Sequence, residues 1–374
     1  MKHLIYADNA ATTQMDVDAF EAMKPYLLHE YGNASQPYSL ARQPKIAIQE
    51  ARETIASCIG ALPEEIYFTS GGTESDNWAI KGIAFRNYDH RATITTAFEH
   101  HAVLHACEAI ERLGCPVAYM LPDKRGFVSP DSLERYITDE TFLVSVMYAN
   151  NELGSIQPIK ELCKVAHDHG ALFHTDAVQA VGHVAINVND LGVDMLSASA
   201  HKFNGAKGVG FLYIRTGTTL PPYADGGAQE HGLRAGTENV AGIVSMAVAL
   251  KKNVNDLDKN QRHILKLEGL LLQALNKSGI PYVRNGGDHT LPGVISLSFD
   301  GKDGEAILHR MDLMGVCIST GSACDSKNTE ISHVLQAIRM PESLAKGTIR
   351  ISLGKNNTAD DIDTIVTALR KILL

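Results

Sequence analysis

In Ser199-Ala200-His201-Lys202 a lysine stands where a short apolar run ends, and 26 residues upstream Asp176 ends another such run in Phe173-His174-Thr175-Asp176-Ala177-Val178-Gln179. A lysine amine can condense with a carbonyl carbon to form a Schiff base. A buried acid can keep a ring nitrogen protonated, and a ring so held withdraws electrons from whatever is bonded to it. The cofactor that asks both services of its protein is pyridoxal 5′-phosphate.

Other groups with usable chemistry fall at the ends of neighbouring apolar runs. Residues 66–80 read as a strand, the turn Ser70-Gly71-Gly72-Thr73 and the start of a helix. Alone, this is an ordinary turn with Thr73 as a helix cap. Upstream of Asp176 and Lys202 it reads as a phosphate cradle, because glycine lets the backbone approach an anion and a helix N-terminus offers unpaired N–H groups. Gly72 and Thr73, with Ser199 and His201 beside the lysine, are therefore assigned to the cofactor phosphate. His100, in Glu99-His100-His101, follows another strand on the same rim, where an imidazole can stack on the ring and move protons; the bland alternative is a structural histidine satisfied by one hydrogen bond. Asn151, in Asn150-Asn151-Glu152-Leu153-Gly154, is either part of a polar turn or a hydrogen-bonding group for cofactor or substrate. Gln179 can reach the phenolic oxygen of the ring.

Six cysteines are scattered without a CxxC pair or Cys/His spacing for zinc, so neither a disulfide framework nor a metal is expected. Cys324 differs from the rest: it lies in Ser319-Thr320-Gly321-Ser322-Ala323-Cys324-Asp325-Ser326, a run of small and polar residues that suits an exposed, mobile loop. It is placed to react, whereas Cys58, Cys107, Cys163 and Cys317 have apolar neighbours and should pack.

These groups need a frame. With 374 residues the chain exceeds what one hydrophobic core usually holds, so two domains are expected. Short apolar runs at 65–69, 92–96, 117–121, 143–148, 172–174, 195–197 and 210–214 alternate with amphipathic segments, which predicts an α/β domain with a mostly parallel sheet and its functional groups at the strand ends. A helical stretch over 254–274 and strands of another sheet at 293–299 and 348–352 place a boundary near residue 256: residues 14–256 form the large domain, and 1–13 with 257–374 a smaller α+β domain. Net charge is −9 without a basic run, which argues against nucleic acid. No stretch has the length of a membrane helix and the start lacks a signal-peptide core, so a cytoplasmic location is expected.

Taken in order, these motifs resemble the class V branch of fold-type I pyridoxal phosphate enzymes, and within it the cysteine desulfurases of the NifS/IscS type. The likeness runs from Tyr6-Ala7-Asp8-Asn9-Ala10-Ala11-Thr12-Thr13 through the segments 69–77, 99–103, 150–154, 176–179 and 199–202 to Arg234-Ala235-Gly236-Thr237-Glu238-Asn239, 320–324 and Ile349-Arg350-Ile351-Ser352-Leu353-Gly354. At Ala34-Ser35-Gln36-Pro37-Tyr38 the chain departs from the family pattern. The resemblance implies that sulfur is removed from L-cysteine to give L-alanine and a persulfide on Cys324, with Lys202 and His100 moving protons. The persulfide would pass to an acceptor protein for iron–sulfur cluster or other sulfur-product assembly. It also implies a homodimer in which Thr237 reaches the cofactor phosphate of the other subunit, and Asn33, Asn151 and Arg350 as substrate-binding residues. A selenocysteine lyase, a class V aminotransferase or an idle sulfur-trafficking scaffold would share many of these features.

Overall fold

The computed structural model describes residues 4–86, 91–320 and 331–374. A short strand β1 (Ile5–Tyr6) precedes the strands of a seven-stranded sheet: β2 (Ile66–Thr69), β3 (Ala92–Thr96), β4 (Val117–Met120), β5 (Thr141–Ser145), β6 (Leu172–Asp176), β7 (Met195–Ser199) and β8 (Gly210–Ile214). Their order across the sheet is β2-β8-β7-β6-β5-β3-β4. Only β8 among them runs against its neighbours, β2 and β7; the other pairings are parallel.

Both faces of this sheet are covered, which is why its strands read as nearly continuous apolar runs rather than as alternating ones. Side-chain alternation then divides each strand between two cores. In β8, Phe211 and Tyr213 join one with Leu196, Ile243 and Leu250, while Leu212 and Ile214 join the other with Met195, Trp78 and Ile83. The expected strand at 143–148 is shifted: β5 ends at Ser145, yet Val146 and Tyr148 still donate to the β6 carbonyls of His174 and Asp176 at 3.1 and 2.8 Å. Pairing on that side alone carries the chain toward Asn151. The strand expected at 172–174 continues to Asp176, so the acid is the last residue of β6 rather than a group beyond it.

One buried ion pair fixes the edge strand. Arg52 Nη2 and Glu230 Oε1 lie 2.6 Å apart with both side chains almost fully covered, and Glu230 Oε2 also accepts the Phe68 N–H at 2.8 Å. The pair thereby sets where β2 delivers the turn that follows it.

The helical stretch expected over 254–274 is two helices, Val240–Asn255 and Leu257–Ser278, meeting at Asp256. The break reflects a change of partner. Met246, Ala249 and Leu250 of the first face the core already described. Ile264, Leu267, Leu271 and Leu275 of the second, at helical spacing, face another core with Ile5, Ala7, Ile295, Ile351 and Ile365. That core lies against an antiparallel sheet of β9 (Val283–Asn285), β10 (Val294–Ser298) and β12 (Thr348–Ser352), ordered β12-β10-β9, while β11 (Val316–Cys317) pairs in parallel with β1. Among the described residues no helix is long and apolar enough to cross a membrane.

The start of the chain joins the two regions. Ala7 and Asn9 donate to Cys317 and Ser352 at 2.9 and 3.1 Å, and four residues on Thr13 donates to the His201 carbonyl at 2.9 Å.

Candidate active site

Asp176 and Lys202 arrive from adjacent parallel strands. Asp176 ends β6 opposite Ser197 of β7, and Lys202 closes a single 3-10 turn, Ala200–Lys202, directly after β7. Strands running the same way end on the same rim, which is where open α/β sheets hold ligands. The Asp176 carboxylate is buried and accepts the Val178 N–H at 2.9 Å. Burial raises its pKa to about 6, against the lowering effects of that N–H and of Lys202. Lys202 Nζ donates to the Ala10 and Ala11 carbonyls at 2.6 and 2.8 Å, so the lysine is held by the segment that joins the two regions.

The glycine turn packs beside these strand ends and lines the same cavity. Gly71 has φ of 148°, and Gly72 opens the helix Gly72–Arg86. A Cβ on Gly72 would sit 2.5 Å from Val178 Cγ2, so only glycine fits between the helix and the chain leaving Asp176. Thr73, Ser199 and His201 line the same space. His201 Nδ1 is 3.1 Å from Thr12 Oγ1, and burial, then the charges of Lys202 and Lys207, lowers its pKa to about 4. Arg234 Nε donates to Glu74 Oε1 at 2.9 Å, tying the 234–239 segment to the first turn of this helix. Thr237 itself is exposed and is not part of the cavity wall.

His100 caps the helix His101–Glu111: its Nδ1 accepts the Ala102 N–H at 3.1 Å. Burial, then Lys202 and the neighbouring histidines, lowers its pKa to about 4. A neutral ring that accepts at Nδ1 carries its proton on Nε2, so the geometry assigns the Nε2–H tautomer. The residue before it, Glu99, is fully buried; burial raises its pKa to about 8, while Thr96 Oγ1 and the Met147 N–H, at 2.7 and 2.9 Å, act the other way.

Arg350 enters from β12. Nη1 donates to the Asn151 carbonyl at 2.8 Å and Nη2 to Asp8 Oδ1 at 2.7 Å, while Nε is buried without a partner among the described residues. Ser319 pairs with Arg350 through both backbone bonds, at 2.7 and 3.1 Å, so the segment leading to Cys324 departs from beside this arginine. Cys324 lies outside the described residues. Gln179 Nε2 donates to the Ala10 carbonyl at 3.0 Å. Asn33 is elsewhere: its Oδ1 accepts the Ser35 N–H at 2.9 Å in a turn that does not contribute to the cavity wall.

The structure thus brings Gly72, Thr73, His100, Asn151 and Asp176 together with Gln179, Ser199, His201, Lys202 and Arg350 around one cavity of about 580 Å³. Asp76, Thr12 and Lys207 join the wall without having been singled out. Asp76 follows the glycine turn, and nothing in the sequence distinguishes it from its polar neighbours. The cavity suits pyridoxal 5′-phosphate: its volume falls within the range of small-molecule sites, and its wall holds an acid, a lysine and a helix N-terminus with a glycine cradle.

Residues 5–365 match the Aminotransferase class-V family model. The chain is 48% identical to "Cysteine desulfurase IscS" from Dictyoglomus turgidum, over 100% of this chain and 95% of that protein. Among solved structures, "NIFS-LIKE PROTEIN" superposes with a TM-score of 0.94 at 37% identity, covering 99% of each chain. "SspA in complex with cysteine" has a TM-score of 0.84 at 36% identity, covering 95% of this chain and 100% of that one. The cavity, its strand-end lysine and acid, and full-length likeness at this level agree, and the chain belongs to the class V aminotransferase family of pyridoxal 5′-phosphate enzymes.

Proposed function

We propose that this chain is a cysteine desulfurase, which takes sulfur from L-cysteine, releases L-alanine and carries the sulfur as a persulfide on Cys324. The observation that carries the reading is a single cavity walled by a lysine amine, a buried acid and a buried arginine, namely Lys202, Asp176 and Arg350. Relatives named for the same activity over their full lengths support it.

Asp176 would hold the ring nitrogen of the cofactor, Gln179 its phenolic oxygen, Gly72, Thr73, Ser199 and His201 its phosphate, and Lys202 its aldehyde carbon. When bound, the group supplies an electron sink for the substrate's carbon framework. The Arg350 fork binds the substrate carboxylate, with Asn151 assisting. His100 Nε2–H is a donor, and the Lys202 amine would accept and return a proton. The Cys324 thiolate attacks the sulfur of the substrate: the S–S bond forms as the C–S bond breaks, the electron pair of that bond stays with carbon, and the carbon takes a proton from Lys202 or His100 to become the methyl of L-alanine. The persulfide keeps the hydrogen of the substrate thiol and passes its outer sulfur to an acceptor protein.

The working form is a cytoplasmic homodimer. Exposed Val17, Phe20, Leu27, Leu28 and Tyr31 near the start of the chain support a second copy as partner, as does a Thr237 that lies outside its own chain's cavity. The cysteines 58, 107, 115, 163 and 317 are all free, which suits a reducing compartment. Two main cores support a large domain of residues 14–256 and a small one of 1–13 and 257–374, although Val334, Leu335, Ala337, Ile338 and Ala345 pack into the core of the large one.

The test is to incubate the protein with pyridoxal phosphate and L-cysteine, measure alanine and sulfide, and seek one extra sulfur on Cys324 by mass spectrometry. Cys324→Ala should abolish both product and adduct. Alanine without the adduct would overturn the role of Cys324. Amino transfer to a keto acid without sulfide would mark an aminotransferase, and selenocysteine turnover that survives the substitution without cysteine turnover would mark a selenocysteine lyase.

A further inference from the structure

One turn into the helix that starts at Gly72, Asp76 faces the same cavity as Asp176 and is only 1% exposed. A buried carboxylate normally has a cation or several N–H donors; an ionised one without them is costly. Asp76 has neither. Its nearest basic group is His174, whose Nε2 is 3.6 Å from Oδ1, and that ring is already engaged by Ser145 Oγ on Nδ1 at 2.8 Å and Ser197 Oγ on Nε2 at 2.9 Å. His174 is fully buried and its pKa is lowered to about 3, so the ring is neutral. Asp76 shares a hydrogen bond with Ser197, and its Oδ1 has no hydrogen-bond partner among the described residues. The titratable groups that face it besides His174 are Asp176, at the end of the strand carrying that histidine, and Glu99. Burial first, then these two acids, pushes its pKa well above the usual carboxylate range.

Two buried carboxyl groups that face one cavity, with the nearby cations serving only one of them, do not both ionise. We infer that Asp76 is a protonated second carboxyl of the ring-nitrogen site, a positioning residue that stays neutral and leaves the one negative charge of the pair on Asp176. This rests on Asp176 being the acid that faces the ring nitrogen. The charge is then fixed at the residue whose backbone lies at the strand end, and the neutral partner adds no second negative charge beside it. Ser145, Ser197 and His174 form the uncharged chain of hydrogen bonds that keeps Asp76 turned inward.

The experiment is infrared spectroscopy of the cofactor-loaded protein near neutral pH, with aspartate labelled by 13C at the side-chain carboxyl carbon. A protonated-carboxyl band that shifts with the label is expected, absent from Asp76→Asn and retained in Glu99→Gln. If no band shifts with the label, or if the band persists in folded Asp76→Asn, the inference is overturned; Asp76→Ser serves the same subtraction if the asparagine variant does not fold. The visible absorbance of the bound cofactor, titrated with pH, gives a second reading. Asp76→Asn should leave its midpoint in place because one neutral group replaces another, and a displacement by about one unit or more would contradict a neutral Asp76. Asp176→Asn tells the two premises apart: if that variant leaves the visible spectrum and its titration unchanged, Asp176 is not the ring-nitrogen acid, whatever the infrared band shows about Asp76.

Discussion

Arg350 Nη2 donates to Asp8 Oδ1 at 2.7 Å, so the arginine read as the substrate's carboxylate receptor already holds a carboxylate of its own chain. Asp8 fixes one arm of the fork, the Asn151 carbonyl fixes the other at 2.8 Å, and a substrate carboxylate meets a guanidinium whose orientation is set beforehand. Asp8→Asn keeps an oxygen acceptor but removes the charge, so the fork is held more loosely. The expected result is a KM for L-cysteine raised roughly tenfold, about 1.4 kcal/mol of binding, with kcat changed less. Equal losses in kcat and kcat/KM would instead give Asp8 a role in the chemical step.

Lys202→Ala should leave a protein that binds pyridoxal phosphate only without a covalent bond. Borohydride should fix the cofactor to the wild type and not to the variant, and turnover should fall by at least ~10³-fold, since both an attachment point and a proton carrier are lost. Borohydride fixation in the variant would place the attachment on another lysine, with Lys207, also in the cavity wall, the first to examine.

Glu99 sets a pH dependence of stability. Its pKa rises from an ordinary 4.5 to about 8 in the fold, because burial disfavours its charge. Between those values the native state holds a proton that the unfolded chain has released, so this group's contribution to stability is complete below the lower value and is lost as pH rises through the upper one. Glu99→Gln removes the titration while keeping an oxygen for Thr96 and the Met147 N–H. Its Tm should fall less than that of the wild type between about pH 5 and about pH 8. The depressed histidines His100, His174 and His201 act in the opposite sense at lower pH and are common to both proteins, so they cancel in the difference. Parallel Tm curves for the two proteins would refute the assignment.

Gly72→Ala would bring a methyl to 2.5 Å from Val178 Cγ2. Either the helix start or the segment after Asp176 must shift, at a cost of about 1–3 kcal/mol in stability, and both carry cofactor groups. Cofactor affinity measured by fluorescence or dialysis should fall together with Tm. Unchanged affinity in a destabilised variant would separate the glycine from phosphate binding.

The sequence made legible whatever depends on local residue types. Lys202 and Asp176 each close an apolar run, and parallel pairing of β6 with β7 turns that into adjacency at one rim. The strand at 210–214 falls where its apolar run does because burial on both faces leaves a continuous signal, while those at 92–96 and 348–352 are marked by β-branched residues. What escaped was set by tertiary contact. Asp8 lies in the Tyr6–Thr13 stretch, and nothing local foretells its pairing with Arg350. Asp76 follows the glycine turn as one polar residue among several, and its meaning comes from His174, Ser197 and Asp176 converging on it from two other strands. The division of residues 240–278 into two helices is invisible to periodicity, since both are amphipathic and only the core they face changes at Asp256. Asn33 is a substrate-binding residue only by resemblance, and its side chain serves its own turn.

The segment from Ala7 to Thr13, bonded to Cys317 and Ser352 at one end and to the turn of Lys202 at the other, bears on how the enzyme is made. The carbonyls that hold the lysine are translated before the large sheet, and the arginine for the substrate comes from β12, translated well after it. A ribosome-bound chain that has folded its large sheet therefore has a lysine and an acid in place while the substrate arginine is still missing. Catalytic competence arises only when β12 has met the segment that precedes the sheet, so a translation product that stops before β12 with this sheet intact could capture cofactor without being able to turn over cysteine.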